Sequence, residues 1–318
     1  MTLKNIIIDT DPGIDDAVAI LLALASPELQ VLGITTVAGN VSAPATATNA
    51  CKIRELARRP EVPVLQGAAG PLIRQQIYGK YTEHDGLGAD VLPAPQQGPD
   101  AEHSVSFLLR QSREARRRNE KITLCCMGPL TNIALAIAQD GEWAAGIDEV
   151  VMMGGAFGAM GNRVPWAEFN VLADPHAAHI LFKSGLHIRL LPLDLTFKVL
   201  VTEQRLQRIA ALPGDVAAKV VQLLTAYDRN DPKRLGCLGG PLHDPVVIAA
   251  VLAPQLFEQQ HVAVGVEIHS PTTLGHTYAD FYGKLDSTPN IHVQTDIDVD
   301  AFFDLLIERL GRYAQQGD

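Results

Sequence analysis

The sequence predicts an α/β fold in which one mostly parallel, open sheet carries helices on both faces. Three observations lead there. Short β-branched or apolar runs alternate with longer apolar runs from end to end. Most of the strand-like runs stop at a Gly, Pro, Asn or Asp turn that passes into a helix, and such strand–turn–helix units build parallel sheets through crossovers. Finally, no long linker, low-complexity tract or repeat interrupts the pattern, so one domain spanning residues 1–318 is expected.

In chain order, Ile6-Ile7-Ile8 reads as a buried strand and Ala17 to Leu24 as the buried helix behind it. Val31 to Thr36 is the second strand, ending in Val37-Ala38-Gly39-Asn40. A helix from about Pro44 to Ala57 precedes a short strand, Val62 to Leu65. The segment Arg110 to Lys121 mixes Glu114 and Glu120 with its arginines, the pattern of a solvated helix face. Ile122 to Met127 is a strand turned by Gly128-Pro129 into the helix Leu130 to Ala138. Val150 to Met153 ends in Gly154-Gly155, and Ile188 to Leu191 in Pro192-Leu193-Asp194. A turn through His243-Asp244-Pro245 opens the helix Val246 to Leu252. Val262 to Val266 and Ile291 to Thr295 read as further strands, closed by a helix from about Val299 to Leu310.

Composition narrows the class. Of the 318 residues, 47% are hydrophobic and 19% charged, which suits a globular chain with a substantial core. A net charge of -10 argues against non-specific nucleic-acid binding, which needs clustered Lys and Arg. No apolar stretch reaches the ~20 residues that cross a bilayer, and Met1 to Asn5 runs straight into a strand, so a cytoplasmic protein without a leader is expected. The four cysteines show neither zinc spacing nor a disulfide framework.

The chemistry concentrates between the first strand and its helix, in Asp9-Thr10-Asp11-Pro12-Gly13-Ile14-Asp15-Asp16. In open α/β sheets ligands bind at the carboxyl ends of strands. A helix cap at Asp11 or Asp15 would account for one acid. Four crowded carboxylates beside an apolar strand need a counter-charge, and a hard divalent cation with oxygen ligands, calcium or magnesium, serves several at once. Other polar residues fall at strand ends or in the loops beyond them: Asn40, Thr131-Asn132, Asn162, Glu168 to Asn170, Asp194 and His243-Asp244. Read separately, Thr131-Asn132 and Asp244 are helix starts. Read together, they line a pocket rich in Asp and Asn and poor in Arg and Lys. Phosphates favour guanidinium groups or amide cradles, so the expected ligand is a neutral polyol, a sugar.

These motifs resemble those of the inosine–uridine-preferring nucleoside hydrolases over nearly the whole chain. Asp-x-Asp-Pro-Gly-x-Asp-Asp stands intact at 9–16, followed in the family's order by Val37 to Asn40, Gly128 to Asn132, Met153-Gly154-Gly155, Ala167 to Asn170 with Asp174-Pro175, and His243-Asp244-Pro245. The resemblance implies a Rossmann-like nucleoside hydrolase fold, a calcium ion (Ca2+), a nucleoside substrate and a homodimer or homotetramer. Asp11, Asp16, Asp244 and the Met127 carbonyl would hold the ion, Asp15 would activate a metal-bound water, and Asp9 would support them from behind. Asn40 and Asn170 would take the ribose 2′- and 3′-hydroxyls, Asn162 and Glu168 the 5′-hydroxyl, with Phe169 beside them in the substrate site. His243 lies where the family contacts the leaving base. The family's His-Gly pair is replaced by His84-Asp85, so the base-stacking role falls to His84, Tyr78 or Tyr81, and Tyr227 and Arg234 are candidates in a segment that covers the base. The implied reaction is release of free base and ribose. Two rivals remain: a phosphatase with an aspartyl nucleophile, and a sugar- or nucleoside-binding protein without catalysis.

Overall fold

The computed structural model describes residues 3–79, 85–88 and 91–316. Its main sheet holds eight strands: β1 (Lys4–Thr10), β2 (Leu29–Thr36), β3 (Val64–Gln66), β4 (Ile122–Cys126), β5 (Ile147–Met153), β6 (Ile188–Leu191), β7 (Phe257–Val262) and β8 (Ile291–Ile297). Their spatial order is β3-β2-β1-β4-β5-β6-β8-β7, and every pairing is parallel except that of β7 with β8. The order reverses between β1 and β4. At such a switch point the connections leave in opposite directions and open a crevice beyond the strand ends.

The side-chain period of a strand explains the layers. Ile6 and Ile8 of β1 belong to one apolar core and Ile7 to the other. The first core is completed by the helices Ile14–Leu24, Pro245–Leu252 and Val299–Gly311, the second by Ser104–Arg118, Thr131–Gln139 and Pro175–Phe182. Helices therefore do cover both faces. The helix Ile14–Leu24 is apolar nearly all round because it is buried nearly all round. No helix among the described residues is long and apolar enough to cross a membrane.

One expectation needs correction. The run Val262 to Val266 is not one strand: it breaks at Ala263, with Val262 closing β7 and Val264–Val266 pairing with Thr277–Ala279 in a separate two-stranded sheet. The Asn290 side chain makes the break possible, accepting from the Val264 N–H at 2.8 Å and donating to its carbonyl at 3.1 Å, so both backbone groups of Val264 are satisfied. The helices Glu203–Ala210 and Asp215–Leu224 lie between Asp194 and Tyr227, where no element was assigned from sequence.

Candidate active site

At the switch point β1 ends in Asp9 and Thr10, and the chain turns through Asp11-Pro12-Gly13 into the helix Ile14–Leu24. The Gly13 N–H donates to Asp16 Oδ2 at 2.9 Å, and the Thr10 hydroxyl donates to Asp16 Oδ1, fixing that carboxylate over the first helical turn. Asp11 is wedged between two backbones. A Cβ on Gly39 would lie 2.1 Å from its Oδ2, and one on Gly128 would lie 2.6 Å from its Oδ1. The glycines in the Val37–Asn40 and Gly128–Pro129 turns thus let two strand ends close on one acid. Asn40 completes the grip, its N–H donating to Asp11 Oδ2 at 2.6 Å and its Nδ2 to the Asp11 carbonyl at 3.0 Å.

A cavity of about 270 Å³ opens over this junction. It is lined by Asp11, Asp15, Asp16, Asn40 and Met127 from the first half of the chain. Asn162, Glu168, Phe169, Asn170, Tyr227, Arg234, His243 and Asp244 join them from the second. Asp9 lies behind, fully buried, with Oδ2 accepting from Thr35 Oγ1 at 2.6 Å and Asn132 Nδ2 at 2.9 Å. Asn132 also donates to the Thr36 carbonyl at 2.9 Å, so it ties β1 to β2 rather than facing the cavity. Thr131 donates to Asp174, not to the cavity. Asp194 turns away too, collecting the N–H groups of Phe157, Gly158 and Ala159 at 2.7–2.8 Å. Tyr78 is 43% exposed and does not line the cavity, whereas Gly79 does. His84 and Tyr81 lie outside the described residues.

The second wall is built by hydrogen bonds to side chains. Glu168 caps the helix Phe169–Ala173, its carboxyl receiving the N–H groups of Asn170 at 2.7 Å and of Val171 and Gly155 at 3.1 Å. Asn162 Oδ1 accepts from the Phe169 N–H at 2.9 Å. Asn170 donates to the Met127 carbonyl at 2.8 Å, a group with a second lone pair to spare.

Burial dominates the electrostatics. It pushes the Asp11 and Asp244 carboxyls well above the usual range, with neighbouring acids adding to the effect, and raises Asp16 as well. Asp9 rises to about 6 and Glu168 to about 7, their hydrogen bonds opposing part of the burial effect. His243 moves the other way, to about 4, because burial disfavours its charged form; the nearby Asp15 carboxylate opposes this, and Arg229 and Arg234 add to it. Its Nδ1 meets Thr196 Oγ1 at 2.7 Å, and its ring stands edge-on to Phe197 with centroids 5.7 Å apart. A neutral imidazole results.

Among the described residues no group of three or more His, Cys, Asp or Glu side chains is spaced to hold a metal ion. As the side chains stand, burial and the mutual repulsion of Asp11, Asp15, Asp16 and Asp244 push the Asp244 carboxyl towards its protonated form. The donor set is nevertheless one of hard oxygens, three buried carboxyls and a carbonyl, which suits a cation such as calcium.

Three arginines overturn the expectation of an Arg-poor pocket: Arg163, Arg229 and Arg234 all line it. Arg229 had not been singled out in the sequence. Its Nη2 contacts Asp15 Oδ1 at 2.5 Å, the only ion pair to a cavity acid among the described residues. The crowding of acids did call for a counter-charge, and part of it is supplied from within the chain.

The family profile for inosine-uridine preferring nucleoside hydrolases matches residues 6–304. A pyrimidine-specific ribonucleoside hydrolase of Shewanella is 43% identical over 313 residues, covering 98% of this chain and 97% of the relative. Among solved structures, a plant nucleoside hydrolase superposes with a TM-score of 0.88 at 32% identity, covering 97% of this chain and 99% of that one. A purine-preferring ribonucleoside hydrolase from Gardnerella vaginalis also reaches 0.88, at 29% identity and 99% and 100% coverage. With the mostly parallel sheet, the strand-end acids and a profile spanning nearly all of it, the chain belongs to the inosine-uridine preferring nucleoside hydrolase family and is a ribonucleoside hydrolase.

Proposed function

We propose that the chain cleaves the N-glycosidic bond of ribonucleosides with Asp15 as the base, in a site loaded with calcium. The observation that carries this is the division of labour among the acids. Asp9 is fully buried behind the cavity, Asp11, Asp16 and Asp244 are buried at its floor, and Asp15 stands partly open beside them with 12% of its side chain exposed. Asp11, Asp16, Asp244 and the Met127 carbonyl would hold the ion. When bound, it supplies positive charge that eases deprotonation of water and binds the ribose diol.

The residues then have distinct tasks. Asp15 takes the proton of the attacking water, and its hydrogen bond from the His243 N–H at 2.8 Å keeps the carboxylate aimed. Asn40 and Asn170, on opposite walls, fit the 2′- and 3′-hydroxyls, and Asn162 and Glu168 the 5′-hydroxyl. The carboxylates stabilise the oxocarbenium character that develops as the bond breaks. His243, kept neutral, meets the leaving base as a hydrogen-bond donor through Nε2 when Thr196 donates to Nδ1. A phosphatase needs its aspartyl nucleophile in reach of substrate, and Asp9 is sealed behind Thr35 and Asn132.

The test is release of reducing sugar from a panel of purine and pyrimidine nucleosides, pyrimidines first in view of the Shewanella relative. Chelator is expected to abolish turnover, and calcium to restore it. Asp15→Asn should lower kcat by about 10²–10⁴-fold in a folded protein. Undiminished activity in that variant would remove Asp15 as the base, and undiminished activity in chelator would remove the ion.

A further inference from the structure

We propose that Arg229 is a positioning residue that couples the aim of Asp15 to closure of the segment 227–241 over the cavity; this rests on the reading of Asp15 as the base. Asp15 is held at both oxygens, and both holds come from this part of the chain. Arg229 Nη2 contacts Oδ1 at 2.5 Å, and the His243 N–H donates to Oδ2 at 2.8 Å. The same Nη2 also donates to the Pro241 carbonyl, so one guanidinium nitrogen pins the carboxylate and the end of the segment together. Both partners are mostly buried, with side chains 13% and 12% exposed, which shields the pair from solvent screening.

The backbone is shaped for this contact. A Cβ on Gly240 would lie 2.6 Å from Arg229 Cβ, so glycine there lets the arginine lie flat against the chain. The segment is closed on itself by the Gly239 N–H donating to Asn230 Oδ1 at 2.8 Å. A second arginine fastens its other side. Arg234 Nη2 donates to the carbonyls of Met160 at 2.5 Å and Gly161 at 2.8 Å, with its guanidinium 4.3 Å from the centre of the Phe197 ring. Arg234 therefore joins the segment to the opposite wall, and Arg229 joins it to the base.

A carboxylate gripped at two points still has lone pairs for a water proton, since it offers about four acceptor directions. What the grip removes is rotation. With the segment lifted, Asp15 loses Arg229 and keeps only the His243 N–H, about which it can pivot; with the segment down, it is held at both oxygens. Base and lid are then assembled in one motion, so the base is fully aimed only under a closed segment.

The experiment compares Arg229→Met and Arg229→Lys with the parent. Steady-state kinetics on a nucleoside, calcium titration of each protein alone and hydrogen exchange over 227–241 supply three readouts. In Arg229→Met, kcat should fall by about 10–100-fold, the scale of a misplaced catalytic group, while KM changes less. Arg229→Lys should recover part of kcat, because an ammonium reaches Asp15 but lacks the planar fork. In Asp15→Asn, exchange over 227–241 should quicken as it does in Arg229→Met; this readout needs no turnover, so it stands or falls apart from the role of Asp15 as the base. Unchanged kcat with tighter calcium binding in Arg229→Met would show that the arginine only stands in for the ion and would overturn the proposal. Exchange unchanged in both Asp15→Asn and Arg229→Met would overturn it too.

Discussion

A single residue shows how burial and hydrogen bonding compete in this site. Glu168 accepts three N–H groups, an arrangement that favours the charged form, yet burial outweighs them and holds the carboxyl at about 7. A raised folded pKa means that the folded state keeps a proton which the unfolded chain has already lost. The stabilisation is therefore complete below about pH 4.5 and is lost as pH rises towards 7, up to about 3 kcal/mol in all. Glu168→Gln removes this titration. Its unfolding free energy, followed by urea denaturation between pH 4.5 and 7.5, should gain on the parent's as pH rises. Parallel curves would mean that Glu168 is already ionised across this range. The acids were legible in the sequence because Asp9, Asp11, Asp15 and Asp16 crowd a single turn, and their need for opposite charge follows from spacing alone. Arg229 was not legible. Its partner is 214 residues away, and nothing near Tyr227 in the chain announces the pairing.

At the level of elements, apolar runs that stop at a Gly or Pro turn are the strands legible in the sequence, β1, β4 and β6 among them. The break at Ala263 escaped because it depends on the Asn290 side chain, brought in from a distant turn. Asp194 was misplaced for a related reason. It does follow β6 at the strand-end edge, but its carboxylate is spent on the loop that carries one wall of the cavity. Three N–H groups of residues 157–159 converge on it, each a charge-assisted bond. Asp194→Ala should therefore loosen this loop without touching the acids at the floor. KM for a nucleoside is expected to rise about tenfold, equivalent to about 1.4 kcal/mol of binding, with kcat within about threefold. Proteolytic nicking between 157 and 163 should quicken in parallel. An unchanged KM together with unchanged nicking would show that the wall is held by its other contacts, such as Arg234 on Met160 and Gly161.

Across the whole molecule, function and stability sit towards opposite edges of the same sheet, at the strand ends and the strand starts. The cavity gathers where β1 and β4 leave the sheet. Towards the starts of β5 and β6, a buried ion pair joins Glu149 and Arg189 through two bonds of 2.7 Å, and Arg189 Nη1 reaches the Ala250 carbonyl at 2.7 Å. Such a pair costs much of its attraction in lost hydration, so its presence alone says little about net stability. Breaking it is another matter. Glu149→Ala leaves a guanidinium in the sheet with its Ala250 bond but no counter-charge, and unfolding free energy should fall by about 3–5 kcal/mol. Replacing both partners with apolar residues, Glu149→Leu with Arg189→Met, removes the stranded charge and should recover most of that loss. Because the pair lies away from Asp11, Asp15 and Asp244, kcat/KM per folded molecule should stay within about twofold of the parent in both proteins, measured at a temperature where each is fully folded. A double variant as unstable as the single one would mean that shape rather than charge is what the pair provides. A fall in kcat/KM in the stable double variant would mean that the sheet transmits strain along its strands to the acids, and the two ends are not separable.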